Sequence, residues 1–307
     1  MHIANNILEL IGNTPLLRID DYQATIYAKI ESFNPASCVK ERIAQIMIDD
    51  ALASGRINQQ TTLIEATSGN TGIGLAMVAA SKSMRLILTM PENMSIERRS
   101  LLALMGATIV LTPKEQGMKG AISRAEELQR TIDNSFIVDQ FNNPLNAEAH
   151  FRTTGPEIIA QLGRKNCDFF IAGVGTGGTI SGTGKALKQH NPNVKIIAVE
   201  PKDSPVLSGG KPAAHKIQGI GAGFIPKNLD QTILDSVETV SYDEAIETLL
   251  TTAKQRGLLI GISSAAALSV AIHTAQRIEN KGKNIVVILP DSAERYLSVL
   301  SEEISHQ

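Results

Sequence analysis

The sequence predicts an α/β fold of two domains, each a mainly parallel twisted sheet flanked by helices, with a ligand site expected in the cleft between them. Three observations predict it. Short apolar runs of strand length alternate with helix-length stretches almost from end to end. Loops rich in glycine and hydroxyl side chains stand between an apolar run and the helix after it, as in parallel sheets. The length of 307 residues is enough for two modest cores.

The first strand expected is a half-buried one, because Ile26, Ala28 and Ile30 alternate with Tyr27, Lys29 and Glu31. After the Asn34-Pro35 loop a helix follows Lys40. Its apolar positions Ile43, Ile46, Met47 and Ala51 recur at helical spacing, and Gly55 is placed to end it. Further strands are expected at Leu63–Ala66, Arg85–Met90, Thr108–Leu111, Phe136–Val138, Phe169–Ala172, Lys195–Val199 and Asn284–Leu289, most of them separated by helical stretches. Pro201 to Leu234 reads as a long irregular connection. Ser241 and Glu244 form a capping box for a helix that should end at Gly257. The smaller, mobile domain is expected to span 35–144, with its boundary in the loop from Phe141 to Pro144, and the larger one 1–34 plus 145–307.

Composition narrows the function. Twenty-nine basic and thirty-one acidic side chains give a formal charge of −2, so no electrostatic footprint for nucleic acid or an anionic membrane is expected. The two cysteines, Cys38 and Cys167, are far apart and give neither a disulfide scaffold nor a cysteine-rich zinc site. The six histidines form no spaced metal constellation, and no metal is expected; His215 apart, they read as surface or helix residues. The first residues lack the pattern of a signal peptide, and the most apolar C-terminal stretch, Leu258 to Ile272, is interrupted by Gly261, Ser263, Ser264 and Ser269. A cytoplasmic protein acting on small molecules is the expectation.

Three loops carry the chemistry. In the first, Asn34 to Arg42, Lys40 stands where a loop gives way to a helix, so its amine is placed to form a Schiff base with an aldehyde. Alone, it would read as an exposed surface lysine. The second, Thr67-Ser68-Gly69-Asn70-Thr71-Gly72, opens a helix and gathers amides and hydroxyls suited to a carboxylate. Alone, it would read as an N-cap and turn. The third, Gly173 to Thr179, gathers exposed amides with the hydroxyls of Thr176 and Thr179, a cradle for phosphate. Its glycines at 173, 175 and 178 also satisfy the G-x-G-x-x-G spacing, with Glu200 ending the next strand where a ribose would bind, so a nicotinamide-dinucleotide oxidoreductase remains an alternative. That alternative leaves the other two loops without a use.

A lysine, a carboxylate cradle and a phosphate cradle together suit a pyridoxal 5'-phosphate (PLP) enzyme acting on an amino acid. Beyond these loops, the sequence resembles the cysteine synthases (O-acetylserine sulfhydrylases) in Ile11 to Pro15, Met94 to Arg99, Gly117 to Gly120, Thr153 to Pro156, His215 to Pro226, Gly261 to Ser264 and Glu294 to Tyr296. That resemblance implies the fold type II architecture with PLP in the interdomain cleft. It implies that Lys40 holds PLP and removes the substrate's α-proton, that Asn70 bonds the ring hydroxyl, and that Gly175, Thr176, Gly177, Gly178 and Thr179 hold the phosphate. It implies further that Ser263 meets the pyridine nitrogen and that Thr67, Ser68, Thr71 and Gln140 bind the substrate carboxylate. Ser263 otherwise reads as an N-cap of the helix over 265–278.

The implied reaction converts O-acetyl-L-serine and sulfide to L-cysteine and acetate through an aminoacrylate. A cystathionine β-synthase-like enzyme using homocysteine shares that chemistry up to the nucleophile, and a non-catalytic binding protein of the same fold is a further alternative. The implied partners are a second copy of the chain, in a homodimer, and serine acetyltransferase through its C-terminal tail. Three positions depart from the family's usual residues. Cys38 stands where serine is common, and Ala265 and Ala293 stand where glycine is usual.

Overall fold

The structure, a computed structural model, describes residues 3–67 and 69–305. In chain order its strands are β1 (Leu16–Ile19), β2 (Thr25–Ile30), β3 (Thr62–Ala66), β4 (Arg85–Pro91), β5 (Thr108–Thr112), β6 (Ser135–Ile137), β7 (Phe169–Gly173), β8 (Lys195–Pro201), β9 (Ser236–Val240) and β10 (Asn284–Leu289). Its α-helices are α1 (Lys40–Ala53), α2 (Asn70–Ser81), α3 (Ile96–Leu104), α4 (Gly117–Thr131), α5 (Leu145–Arg152), α6 (Thr154–Leu162), α7 (Gly178–His190), α8 (Tyr242–Arg256), α9 (Ile262–Gln276) and α10 (Leu297–Ser305). Two units emerge, one of Met1–Ile11 with Asn34–Leu145 and the other of Gly12–Phe33 with Asn146–Gln307. Residues up to Ile11 thus go with the first unit, whereas a boundary drawn at 34/35 groups them with the second.

The first unit contains the four-stranded sheet β5-β4-β3-β6, parallel throughout. β3 lies inside it and reads as a continuous buried run, as a central parallel strand should. On α2, small and apolar residues from Gly72 to Ala79 are all buried. A helix apolar all round is one covered on every side.

The second unit contains the six-stranded sheet β1-β2-β10-β7-β8-β9, parallel except that β1 runs antiparallel to β2. The alternation in β2 suggested one wet face; the structure buries both. Tyr27 packs with Ile158 and Leu162 of α6. Lys29 is fully buried, its ammonium bonded to the Thr14 carbonyl at 2.5 Å, Gln161 at 2.9 Å and Glu157 at 2.8 Å. A buried charge is tolerable only when paired in this way. On the other face, α9 is buried along nearly its whole length by virtue of alanine and serine. Among the described residues no helix is long and apolar enough to cross a membrane.

The capping box at Ser241 and Glu244 forms as expected, and α8 is followed by Gly257 in the left-handed conformation. From Lys202 to Leu234 the only helical element is a 3-10 turn at Gln231–Ile233. Asp235 follows it and ties the loop to the sheet. Its carboxylate accepts from the Lys188 ammonium at 2.8 Å, the Lys195 ammonium at 3.0 Å and the Ile196 amide at 2.9 Å. Partial burial opposes ionisation, but the hydrogen bonds from Lys188, Ile196 and Lys195 outweigh it and hold the carboxyl down at about 2. Asp235→Ala should therefore lower stability at neutral pH by about 1–3 kcal/mol, measurable by denaturant unfolding. A depressed carboxyl stabilises the fold above its unfolded value of 3.8, so the difference from wild type should shrink as pH falls from there toward about 2.

Candidate active site

In the first unit, Lys40 is the first residue of α1, and its side chain is half-buried. No side chain caps that helix at Val39. Instead, the Glu41 carboxylate accepts from the Cys38 amide at 2.9 Å and closes the turn that presents Lys40. The Cys38 thiol lies 3.7 Å from the Asn70 carbonyl, joining this turn to the start of α2. A Cβ on Gly74 would come within 3.0 Å of the Lys40 carbonyl carbon and oxygen, so α2 lies directly on the backbone of the lysine turn.

β3 ends at Ala66, and the Thr67 amide still bonds the Thr89 carbonyl at 3.1 Å before the chain turns into α2. The N-cap of α2 is Gly69, which carries no side chain to cap the helix; its amide donates to the Thr67 hydroxyl at 3.3 Å, and the Gly72 amide to the Gly69 carbonyl at 3.0 Å. Thr71 donates its hydroxyl to Gln140 Oε1 at 2.5 Å, bringing together two residues 69 positions apart. Thr67, Asn70, Thr71, Gln140 and Lys40 therefore belong to connected turns of one unit. Ser68, the remaining candidate for the carboxylate cradle, lies outside the described residues.

In the second unit, Gly175 to Thr179 follow β7 and open α7, with Gly177 as a left-handed N-cap at φ 82°. The loop is seated against its neighbours by the lack of side chains. A Cβ on Gly175 would lie 2.4 Å from the Gly219 carbonyl oxygen, one on Gly177 2.7 Å from Leu229, and one on Gly178 1.9 Å from Asn146 Oδ1. α5 supports the same loop with two fully buried side chains one helical turn apart. The Asn146 amide donates to the Thr176 hydroxyl at 3.0 Å. The His150 ring bonds the Thr154 hydroxyl at 2.9 Å through Nδ1 and the Thr179 hydroxyl at 3.1 Å through Nε2. His150 is thus not one more helix residue but a brace for the glycine loop. The i, i+4 spacing of Asn146 and His150, just after Pro144, was the only sequence signal for it.

Ser263 is 3% exposed and lies beside Gly219, where an added Cβ would be 3.3 Å from its hydroxyl. Gly261 is the N-cap of α9, so Ser263 sits within the first turn and is not the cap the sequence suggested. That turn is held by the Ser264 hydroxyl on the Asp291 carbonyl at 3.2 Å, while Tyr296 donates to the Asp291 carboxylate at 2.5 Å. Ala265 and Ala293 are buried, their methyl groups accommodated where glycine is usual.

Glu200 is not placed for a ribose. Its carboxylate accepts from the Leu207 amide at 2.7 Å, the Ser208 amide at 2.9 Å and the Ser208 hydroxyl at 2.6 Å, binding the loop after β8 to the strand end. The carboxylate a dinucleotide site requires is thereby occupied. Among the described residues no group of three or more histidine, cysteine or acidic side chains is arranged to hold a metal ion.

A cradle of glycine amides and threonine hydroxyls that a Cβ would fill fits a phosphate ester, and a lysine at a helix start fits an aldehyde. Fold and site together define an α/β enzyme for a phosphorylated aldehyde cofactor. The chain belongs to the family of pyridoxal-phosphate dependent enzymes, whose pattern matches residues 7–291, and PLP is its cofactor. It is 51% identical over 298 residues to a cysteine synthase of Staphylococcus aureus, covering 96% of each chain. The fold matches that of O-acetylserine sulfhydrylase isoform 3 from Entamoeba histolytica with a TM-score of 0.94 at 39% identity, over 98% of this chain and 92% of that one. It also matches O-acetylserine dependent cystathionine beta-synthase from Helicobacter pylori with a TM-score of 0.90 at 40% identity, over 97% of this chain and 98% of that one.

The seat of the glycine loop can be tested through its tightest contact. Gly178→Ala should destabilise the protein by about 1–3 kcal/mol, because its methyl group overlaps the Asn146 amide. The Gly178→Ala, Asn146→Ala double variant removes the side-chain overlap and leaves the backbone carbonyl carbon of residue 146 at 3.1 Å, so the combined loss should fall short of the sum of the single losses by at least about 0.5 kcal/mol. Denaturant unfolding of the four proteins measures both.

Proposed function

We propose that this chain is a cysteine synthase, which converts O-acetyl-L-serine and sulfide to L-cysteine and acetate. The observation that carries this reading is 51% identity to a cysteine synthase across 96% of both chains. Lys40 would hold PLP through its side-chain amine, and the same Nζ would take the substrate's α-proton. Bound PLP supplies the electron sink that makes the substrate α-carbon acidic enough to give up that proton. In the same unit Asn70 bonds the cofactor's ring hydroxyl, and Thr67, Ser68, Thr71 and Gln140 bind the substrate carboxylate. The place of Thr71 at the N-terminus of α2 supports that assignment, since the positive end of a helix favours an anion.

In the other unit, Gly175, Thr176, Gly177, Gly178 and Thr179 hold the phosphate, on a loop already braced by Asn146 and His150. Ser263 meets the pyridine nitrogen with a neutral hydroxyl. A hydroxyl does not enforce protonation of that nitrogen as a carboxylate would, which suits loss of a β-substituent over reprotonation elsewhere. The protein works in the cytoplasm as a homodimer, and a serine acetyltransferase docks by its C-terminal carboxylate in the cradle meant for the substrate's. Similarity to an O-acetylserine dependent cystathionine beta-synthase favours one second reading, in which homocysteine replaces sulfide.

The visible spectrum of the holoenzyme tests the reading. O-acetyl-L-serine should shift the cofactor band, and sulfide should restore it with release of cysteine; restoration by homocysteine alone would favour the second reading, and no shift would refute both. Lys40→Ala should lower cysteine formation by about a thousandfold or more, because the same amine serves as attachment point and base. A coupled cysteine assay on wild type and variant checks this.

A further inference from the structure

Glu65 is a fully buried-strand carboxylate that the reaction does not use directly. It lies on β3, two residues before Thr67, and is 3% exposed. Its neighbour strand β6 pairs with β3 up to Ile64 and Ile137, and the Val138 amide makes one more backbone bond, to the Ile64 carbonyl at 3.1 Å. There the ladder stops. The next two amides turn to a side chain: Asp139 N–H donates to Glu65 Oε2 at 2.8 Å and Gln140 N–H to Glu65 Oε1 at 3.2 Å. Asp139 is left-handed at φ 59°, a conformation non-glycine residues seldom adopt and one that external bonds must hold.

The turn held in this way carries the Gln140 side chain, whose Oε1 accepts the Thr71 hydroxyl at 2.5 Å. Thr71 is thus linked to Glu65 through Gln140, whose side chain meets the Thr71 hydroxyl and whose backbone amide meets the carboxylate. Burial pushes the Glu65 carboxyl up to about 7, against the lowering effect of the Gln140 and Asp139 amides, so the charge is costly and the donors around it are what retain it.

We propose that Glu65 is a positioning residue for substrate binding: it fixes the Asp139–Gln140 turn and thereby the place of the Gln140 side chain that meets Thr71. The proposal rests on the reading that Thr71 and Gln140 receive the substrate carboxylate. Glu65→Gln keeps size and shape but replaces one acceptor oxygen with a donor, so it opposes one of the two backbone amides that hold the turn. Glu65→Asp keeps the charge but withdraws it by one methylene.

The test titrates PLP-loaded protein with O-acetyl-L-serine, reading the visible band, alongside cofactor content, melting temperature and amide exchange by mass spectrometry. In Glu65→Gln the half-saturating substrate concentration should rise about tenfold, turnover at saturation should change less than about threefold, and cofactor content should stay at the wild-type level. The segment holding the Asp139 and Gln140 amides should exchange faster. Glu65→Asp should fall between the two. Substrate affinity within twofold of wild type in Glu65→Gln would overturn the proposal, and so would a loss of melting temperature and cofactor with affinity unchanged. A wild-type protein that does not respond to O-acetyl-L-serine would instead refute the proposed function. Exchange at Asp139 and Gln140 then still decides on Glu65, because unchanged protection in both variants overturns its role.

Discussion

Gly178 has room for a hydrogen where any other residue carries a carbon, since a Cβ there would fall 1.9 Å from Asn146 Oδ1. The same close approach recurs one turn along α7, where a Cβ on Gly182 would lie 1.9 Å from the Ala147 carbonyl. α7 therefore rests on α5 backbone to backbone, and this brings Asn146 and His150 within reach of Thr176 and Thr179. The loop's shape is set from behind by protein groups. Donors held in place before a ligand arrives lose little entropy on binding it, which is the advantage of a preorganised site.

The first unit achieves the same end with different parts. Gly74 lets α2 lie on the turn that carries Lys40, and Glu41 closes that turn by accepting from Cys38. Cys38 is buried, and its thiol faces the Asn70 carbonyl, so replacing the usual serine leaves a weak donor at the joint between the lysine turn and the start of α2. In each unit a buried polar side chain holds a candidate turn: Glu41 the turn before Lys40, and Asn146 and His150 the glycine loop.

Much of this architecture was legible in the sequence, and what was not has a physical reason. β3, β4, β7 and β10 read as strands because a buried parallel strand is a run of apolar residues, and the strong cap signals of α8 are local. β1 and β9 escaped notice. They are edge strands, with few fully buried positions and no clear alternation. Lys29 looked like a solvent-facing residue because its partners Thr14, Gln161 and Glu157 come from two other stretches of chain. Of the site, the three loops were readable because glycine and hydroxyl residues cluster locally in the sequence. Glu65 and His150 were not, since a carboxylate bonded to amides 74 and 75 residues away carries no local mark.

Glu200 shows why the glycine spacing alone was ambiguous. Its position at a strand end matched a dinucleotide site, and only the loop folded onto its carboxylate separates structural staple from ribose ligand. The central claim is that Lys40 carries PLP. Borohydride reduction of the holoenzyme, followed by proteolysis and peptide mass analysis, tests it most directly. The expected result is a phosphopyridoxyl group on the peptide containing Lys40 and on no other lysine. Its appearance on a different lysine, or on none with PLP present, would contradict that assignment.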